Sequence, residues 1–223
     1  RHANRYGLDS HEPVFSFKTV MRRIHDIVAA IEPHDSVERY TGLGVDVVQG
    51  YARIIDPWTV EIALNTGGTR RLTTRSMVIA AGASPFVPPL PGLDDVGYVT
   101  SDTLWDAFAQ LDRAPERLVV LGGGPIGCEL AQSFARLGSQ VTQIEMLPRI
   151  MMREDEDVSA LAQSSLERDG VAVLTDHKAL RCEQEGEHKY IVVEHQGKEQ
   201  RLAFDQLICA VGRAARLTGY GLE

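Results

Sequence analysis

Cysteine is scarce in this chain. Three occur in 223 residues, Cys128, Cys182 and Cys209, and no two stand in Cys-x-x-Cys or Cys-x-x-x-x-Cys spacing. That excludes a disulfide scaffold and a zinc ribbon built on paired thiols, and it suits a reducing compartment, so the expected location is the cytoplasm. Cys128 and Cys209 read as buried small hydrophobes. Positive charge is also short: 23 Lys and Arg face 31 Asp and Glu, a net charge of −8. A nucleic-acid surface is therefore not expected. No apolar run approaches the roughly 20 residues of a membrane span. The seven histidines are scattered. His188 and His195 lie in a polar hairpin without ligand spacing, so they read as solvated surface and no metal site is expected. The opening residues, RHANRYG without a Met, have no apolar run, so a signal peptide is not expected in this stretch. What remains, 43% hydrophobic and 24% charged, is a soluble globular composition long enough for one large domain or two modest ones.

The most informative stretch is Arg117–Glu145, RLVVLGGGPIGCELAQSFARLGSQVTQIE. An apolar run, Leu118–Leu121, leads into Gly122-Gly123-Gly124-Pro125-Ile126-Gly127, a G-x-G-x-x-G motif with its strand in front and a helix behind. Gly122 permits a sharp turn, Gly124 lets backbone approach a pyrophosphate, and Gly127 lets the helix pack on the strand. The helix N-terminus offers free N–H groups and partial positive charge to phosphates. Leu130, Phe134 and Leu137 form an apolar stripe that Gly138 ends. A second strand, Val141–Ile144, runs into Glu145. An acid about 20 residues past the glycines is placed to accept from an adenosine ribose diol. Its charge would repel a 2′-phosphate, so NAD(H) is expected over NADP(H), with Arg149 nearby.

Around this unit the pattern is α/β. Phe17–Ile31 reads as a helix capped by Ser16, with Val20, Met21, Ile24, Ile27, Val28 and Ile31 on one face. Asp35 with Glu38 resembles a capping box for a short helix ended by Gly42 or Gly44. Strands are expected at Val45–Gln49, Val60–Leu64 and Ser76–Ala80, with a turn at Gly67-Gly68. Pro85, Pro88, Pro89 and Pro91 make Ser84–Gly92 a stiff connection rather than a regular element. A helix follows from Ser101 or Asp102 to about Leu111. After Glu145, a loop with Met146, Met151 and Met152 leads to a helix near Val158–Arg168, entered through the acidic cluster Glu154–Asp157. A strand at Val171–Leu174, an antiparallel meander over Ala179–Phe204 and a last strand at Gln206–Val211 complete a parallel sheet with a β-meander crossover.

These motifs together resemble the pyridine nucleotide–disulfide oxidoreductases, the flavoprotein reductases that include dihydrolipoamide dehydrogenase, glutathione reductase and mercuric reductase. Gly50-Tyr51-Ala52 is similar to the family's G-x-A segment. Val78-Ile79-Ala80-Ala81-Gly82-Ala83-Ser84-Pro85 is similar to its I-A-T-G-x-x-P segment. Cys209-Ala210-Val211-Gly212-Arg213 and Gly221-Leu222-Glu223 resemble the ends of the segment that returns to the FAD domain. The resemblance implies a partial FAD-binding domain over residues 1–100 and a Rossmann-type NAD(H) domain over 101–223. Tyr51, Ala52, Ala80, Ala81 and Gly82 then become candidate FAD contacts. Met146, Val211 and Gly212 join Gly122–Gly127 and Glu145 as candidate cofactor contacts. Three departures stand out: Ala81 replaces the usual Thr, Ala215-Arg216 replaces Pro-Asn, and Pro125 replaces an aromatic of the glycine turn.

By the same resemblance, Glu129 on the first helical turn would pair with a Lys beside flavin and nicotinamide. The plain alternative is a carboxylate favoured by the helix dipole. The first FAD fingerprint, the Cys-x-x-x-x-Cys pair, the late G-D segment and the dimerisation domain with its catalytic His are absent from the 223 residues. The expectation is thus the central, nucleotide-binding part of a longer homodimeric enzyme, inactive alone. That enzyme would pass hydride from NADH to FAD and on to a disulfide, a metal ion or another acceptor. Two alternatives are an NAD-binding sensing module and a related FAD oxidoreductase whose acceptor is a quinone, oxygen or a redox protein.

Overall fold

A computed structural model describes residues 7 and 14–223. The strands are β1 (Gly50–Asp56), β2 (Thr59–Leu64), β3 (Thr69–Thr73), β4 (Ala83–Pro85), β5 (Val99–Thr100), β6 (Arg117–Leu121), β7 (Gln140–Ile144), β8 (Ala172–Leu174), β9 (Lys178–Glu185), β10 (His188–His195), β11 (Lys198–Phe204), β12 (Gln206–Cys209) and β13 (Arg213–Ala215). The helices are α1 (Phe17–Ile31), α2 (Val37–Gly42), α3 (Leu93–Val96), α4 (Leu104–Ala109), α5 (Pro125–Arg136) and α6 (Glu156–Arg168). The contacts divide the chain into two compact units. One holds Pro85–Gly212 with the described residues up to His25, and the other holds Asp26–Ser84 and Arg213–Glu223. The division expected at residue 100 falls inside the first unit, because Val87 and Leu90 of the proline-rich stretch pack into that unit's core.

The first unit is a five-stranded parallel sheet in the order β5-β12-β6-β7-β8. β6 reads Leu118-Val119-Val120-Leu121, and all four side chains are buried. Continuous apolarity is what a parallel strand covered on both faces requires. Leu118 and Val120 meet α4, α5, α6 and the start of α1, where Phe108 stands edge-on to Phe134 at 5.4 Å. Val119 and Leu121 meet α3 and the antiparallel meander β9-β10-β11, with Ile191, Val193 and Phe204 at its centre. Alternation along β6 thus divides one strand between two cores. Arg117 ties the start of β6 to Asp205 before β12. Its backbone N–H donates to Asp205 Oδ2 at 2.8 Å, and its guanidinium holds that carboxyl below the usual aspartate range.

The second unit is built on the antiparallel sheet β1-β2-β3, with a small pair β4-β13. Several sequence expectations shift here. Helix α1 runs over the expected Phe17–Ile31, and Thr19 N–H reaches Ser16 Oγ at 3.4 Å. Of its apolar face only Met21 is buried, Ile24 is half-buried, and Ile27, Val28 and Ile31 are exposed. The next helix is capped by Ser36, whose side chain accepts from Arg39 N–H, rather than by Asp35. The turn at Gly67-Gly68 is present, but it joins β2 to β3. Val45–Gln49 and Ser76–Ala80 are not strands. Among the described residues neither run has a ladder partner, and Val78 is 93% exposed. Ser84 and Pro85, expected to lie in an irregular connection, form β4 with Ala83 against β13, with Pro85 at the strand end where a missing N–H is tolerated. His195, read as solvated, is half-buried and stacked on His177 at 4.3 Å.

Candidate functional site

The turn between β6 and α5 is the best-defined site of the first unit. Gly122 leaves β6 at φ 113°, a conformation that favours glycine, and a Cβ there would stand 2.4 Å from Ala210 O. At Gly127 a Cβ would stand 2.2 Å from Gly122 O, so helix and turn touch because this residue has no side chain. Both positions need glycine for packing reasons. Gly124 differs. Its φ −76° and ψ 178° are open to any residue, and a Cβ there would meet no atom within 4 Å. Among the described residues nothing demands glycine at this position. The space beside it, at the N-terminus of a 12-residue helix, suits a phosphate group. Pro125 at the first helical position has no N–H to leave unpaired. The first-turn N–H groups of Ile126 and Gly127 have no carbonyl four residues back to bind.

β7 and the loop after it hold this turn in place. Gly122 N–H donates to Ile144 O at 2.8 Å, and Gly123 N–H donates to Glu145 Oε2 at 2.7 Å. Gly123 O accepts from Met151 N–H at 2.7 Å. Gln143 Nε2 donates to Gly122 O at 3.0 Å from a fully buried side chain. Ile150 is inserted into the core behind the loop and carries Met151 with it. Glu145 Oε1 also accepts from Leu147 N–H at 2.8 Å. Each carboxylate oxygen retains acceptor capacity, so the acid remains able to receive a ribose diol. Arg149 donates to Met151 O at 3.3 Å and Glu154 O at 2.8 Å, which engages it within its own loop.

The residues singled out in the sequence fall into two groups. Gly122, Gly123, Gly124, Pro125, Ile126, Gly127 and Glu145 converge on this one turn. Ala210 and Val211 close behind Gly122, and Gly212 O accepts from Phe86 N–H at 2.9 Å. Met146 is 64% exposed beside Glu145. Glu129, expected on the first helical turn, is the fifth residue of α5 and exposed, and the first turn itself holds no acid. Tyr51, Ala52, Ala80, Ala81 and Gly82 belong to the other unit. Tyr51 and Ala52 open β1, where Ala52 pairs with Ile62, and Tyr51 stands over Gly219. Gly82 O accepts from Arg216 N–H at 3.0 Å. Gln143 and Met151 were not singled out beforehand. A Gln two residues after Val141, on the same core-facing side of β7, was the available signal for the first. Met151 acts through its backbone, at φ 50°, which side-chain chemistry does not announce.

The chain's own thiols are poorly suited to redox work. Cys128, Cys182 and Cys209 are all free, and burial pushes all three up, Cys182 to about 11. Among the described residues no cluster of three or more His, Cys, Asp or Glu is arranged to hold a metal ion, and no helix is long and apolar enough to cross a membrane.

Comparison with known proteins gives a consistent result. A family model described as pyridine nucleotide-disulphide oxidoreductase matches residues 10–223. A mercuric reductase of Streptomyces lividans is 33% identical over 221 residues, covering 97% of this chain and 45% of that protein. A dihydrolipoyl dehydrogenase of Pseudomonas aeruginosa is 38% identical over 180 residues, covering 81% of this chain and 37% of that protein. Among solved structures, the HOCl-induced flavoprotein disulfide reductase RclA of Escherichia coli is 26% identical with a TM-score of 0.74, over 92% of this chain and 45% of that one. LpdA of Mycobacterium tuberculosis, 22% identical, shares the fold over 100% of this chain and 47% of its own with a TM-score of 0.80. The chain thus spans less than half the length of these relatives.

Proposed function

Since the chain belongs to the pyridine nucleotide-disulphide oxidoreductase family, we propose that its first unit binds NAD(H) within a longer FAD-dependent oxidoreductase. The observation that carries this reading is Gly124, a glycine with ordinary dihedrals and open space where its Cβ would be. The pyrophosphate lies there, against the first-turn N–H groups of α5. Glu145 takes the adenosine ribose hydroxyls with the lone pairs left over from Gly123 and Leu147. NADH is preferred to NADPH, because a 2′-phosphate would meet that carboxylate while Arg149 is engaged on loop carbonyls. Met146, Val211 and Gly212 line the same nucleotide.

The bound cofactors supply hydride transfer from nicotinamide to flavin, and the protein supplies orientation and electrostatics. Tyr51, Ala52, Ala80, Ala81 and Gly82 contribute backbone contacts to FAD from the second unit. Glu129, exposed at the mouth of the glycine turn, holds a Lys from another part of the enzyme. In the whole protein the electrons pass on to a disulfide or a metal ion, as the names of the relatives suggest. The thiols of this chain take no part, since burial keeps them protonated. Titration of the 223-residue chain with NADH and NADPH tests the reading. NADH is expected to bind more tightly, and Glu145→Ala to narrow the difference by about 1–3 kcal/mol, the scale of a charge-assisted hydrogen bond. Equal or tighter NADPH binding would overturn the preference. Failure to bind either nucleotide would overturn the site.

A further inference from the structure

We propose that Gln143 is a positioning residue of the dinucleotide site, clamping the Gly122–Gly123 peptide so that the glycine turn is already shaped for the pyrophosphate; this rests on the dinucleotide reading above. Gln143 is fully buried on β7, in a sheet whose other interior side chains are mostly apolar. Its Nε2 donates to Gly122 O at 3.0 Å and stands 3.5 Å from Cys128 Sγ. Its Oε1 is buried with no hydrogen-bond partner among the described residues. The amide cannot be turned round, because Oε1 would then face the Gly122 carbonyl, acceptor against acceptor. An unpaired buried oxygen costs stability. An apolar side chain of similar size would avoid that cost but strand the buried Gly122 carbonyl, so what the Gln contributes is its hold on that peptide.

The geometry supplies the reason for that hold. Gly122 O and Gly123 N–H are the two ends of one peptide group. Gln143 donates to the first, and Glu145 accepts from the second at 2.7 Å. The two side chains are two residues apart, and so on the same side of the strand. One peptide plane is therefore gripped at both ends from β7. Three consecutive glycines have more backbone freedom than any other tripeptide, and that freedom would otherwise be lost when the nucleotide binds. Fixing the plane beforehand moves the loss into folding and strengthens binding. The next carbonyl, Gly123 O, is held by Met151 N–H at 2.7 Å, so the same segment of chain restrains two successive peptides.

The test uses the 223-residue chain with Gln143→Met, which keeps the volume and removes both the donor and the orphaned oxygen, and Gln143→Leu as a second variant. Three readouts are taken: melting temperature, NMR amide exchange at Gly123, and the Kd for NADH. The clamp predicts a melting temperature that changes little, because the orphaned oxygen removed offsets the Gly122 carbonyl left unpaired, together with faster exchange at Gly123 and NADH binding weakened about tenfold. A space-filling role would lower the melting temperature and leave affinity alone. Unchanged exchange and unchanged affinity in either folded variant overturn the proposal. Faster exchange in the variant, with no NADH binding by the unaltered chain, upholds the clamp and overturns the dinucleotide reading, so the two failures are distinguishable.

Discussion

Replacing each glycine of the turn in a separate protein distinguishes a glycine that the fold needs from one that a ligand needs. At Gly124 the dihedrals suit any residue and a Cβ meets nothing within 4 Å. Gly124→Ala gains about 0.4–1 kcal/mol by restricting the unfolded chain. It loses about as much because Ala is a poor helix N-cap. The two offset, so the melting temperature should move by no more than about 3 °C. The bound state behaves differently. The new methyl occupies the volume assigned to the pyrophosphate, and an overpacked contact costs about 1–3 kcal/mol, or about 5- to 150-fold in Kd. Gly124→Val should abolish measurable binding.

Gly122→Ala reverses this pattern. Its φ is 113°, and its Cβ would lie 2.4 Å from Ala210 O. Backbone strain of about 1–3 kcal/mol and a comparable overpacking term imply a fall in melting temperature of roughly 5–15 °C. Thermal denaturation followed by circular dichroism, with NADH fluorescence titration of each folded variant, gives both axes. A folded Gly124→Val that still binds NADH within twofold of the unaltered chain would refute the reasoning. So would a Gly124→Ala as destabilised as Gly122→Ala.

Two other outcomes follow from the fold. The Asp205 carboxyl is held low by Arg117, so its contribution to stability is complete above the ordinary aspartate range and is lost as pH falls through its depressed value. Because the pair is more than a third exposed, that contribution is about 1 kcal/mol at most. Asp205→Asn should therefore melt roughly 2–4 °C lower at pH 7 and converge with the unaltered chain as pH falls from the ordinary aspartate range through that depressed value. A constant gap across this range would contradict the assignment. Among the described residues of the second unit only Ile62 is a buried hydrophobe, so the amides of β1, β2 and β3 should exchange well ahead of those in β6, β7 and β12. Equal protection in hydrogen exchange would refute this.

The parallel half was legible because its signals are local. Leu118–Leu121 is apolar at every position, a helical stripe follows, and the glycines sit where strand becomes helix. No distant residue is needed to read such a βαβ unit, and β6, α5 and β7 stand where they were expected, within about one residue. The meander was legible because Gly186 and Gln196-Gly197 fall at its two turns. The misplaced strands were non-local. Val45–Gln49 and Ser76–Ala80 have strand-like composition, but a strand exists only where another offers a ladder, and Gly50–Asp56 and Thr69–Thr73 have one in β2.

The candidate site divides in the same way. Sequence by itself determined which residues the proposal rests on: glycines to admit a phosphate, a helix N-terminus to attract it, and an acid to meet a ribose. Only the tertiary structure decided what each glycine is for. It shows Gly122 and Gly127 pressed against Ala210 O and the turn itself, while Gly124 faces open space. It also brought Gln143, Glu145 and Met151 onto the two peptides of the turn from 20 and more residues away. The physical reason is that a motif specifies backbone freedom through the side chains it omits. The direction in which that freedom is fixed comes from hydrogen bonds made by a neighbouring strand, and those exist only once β6 and β7 lie side by side.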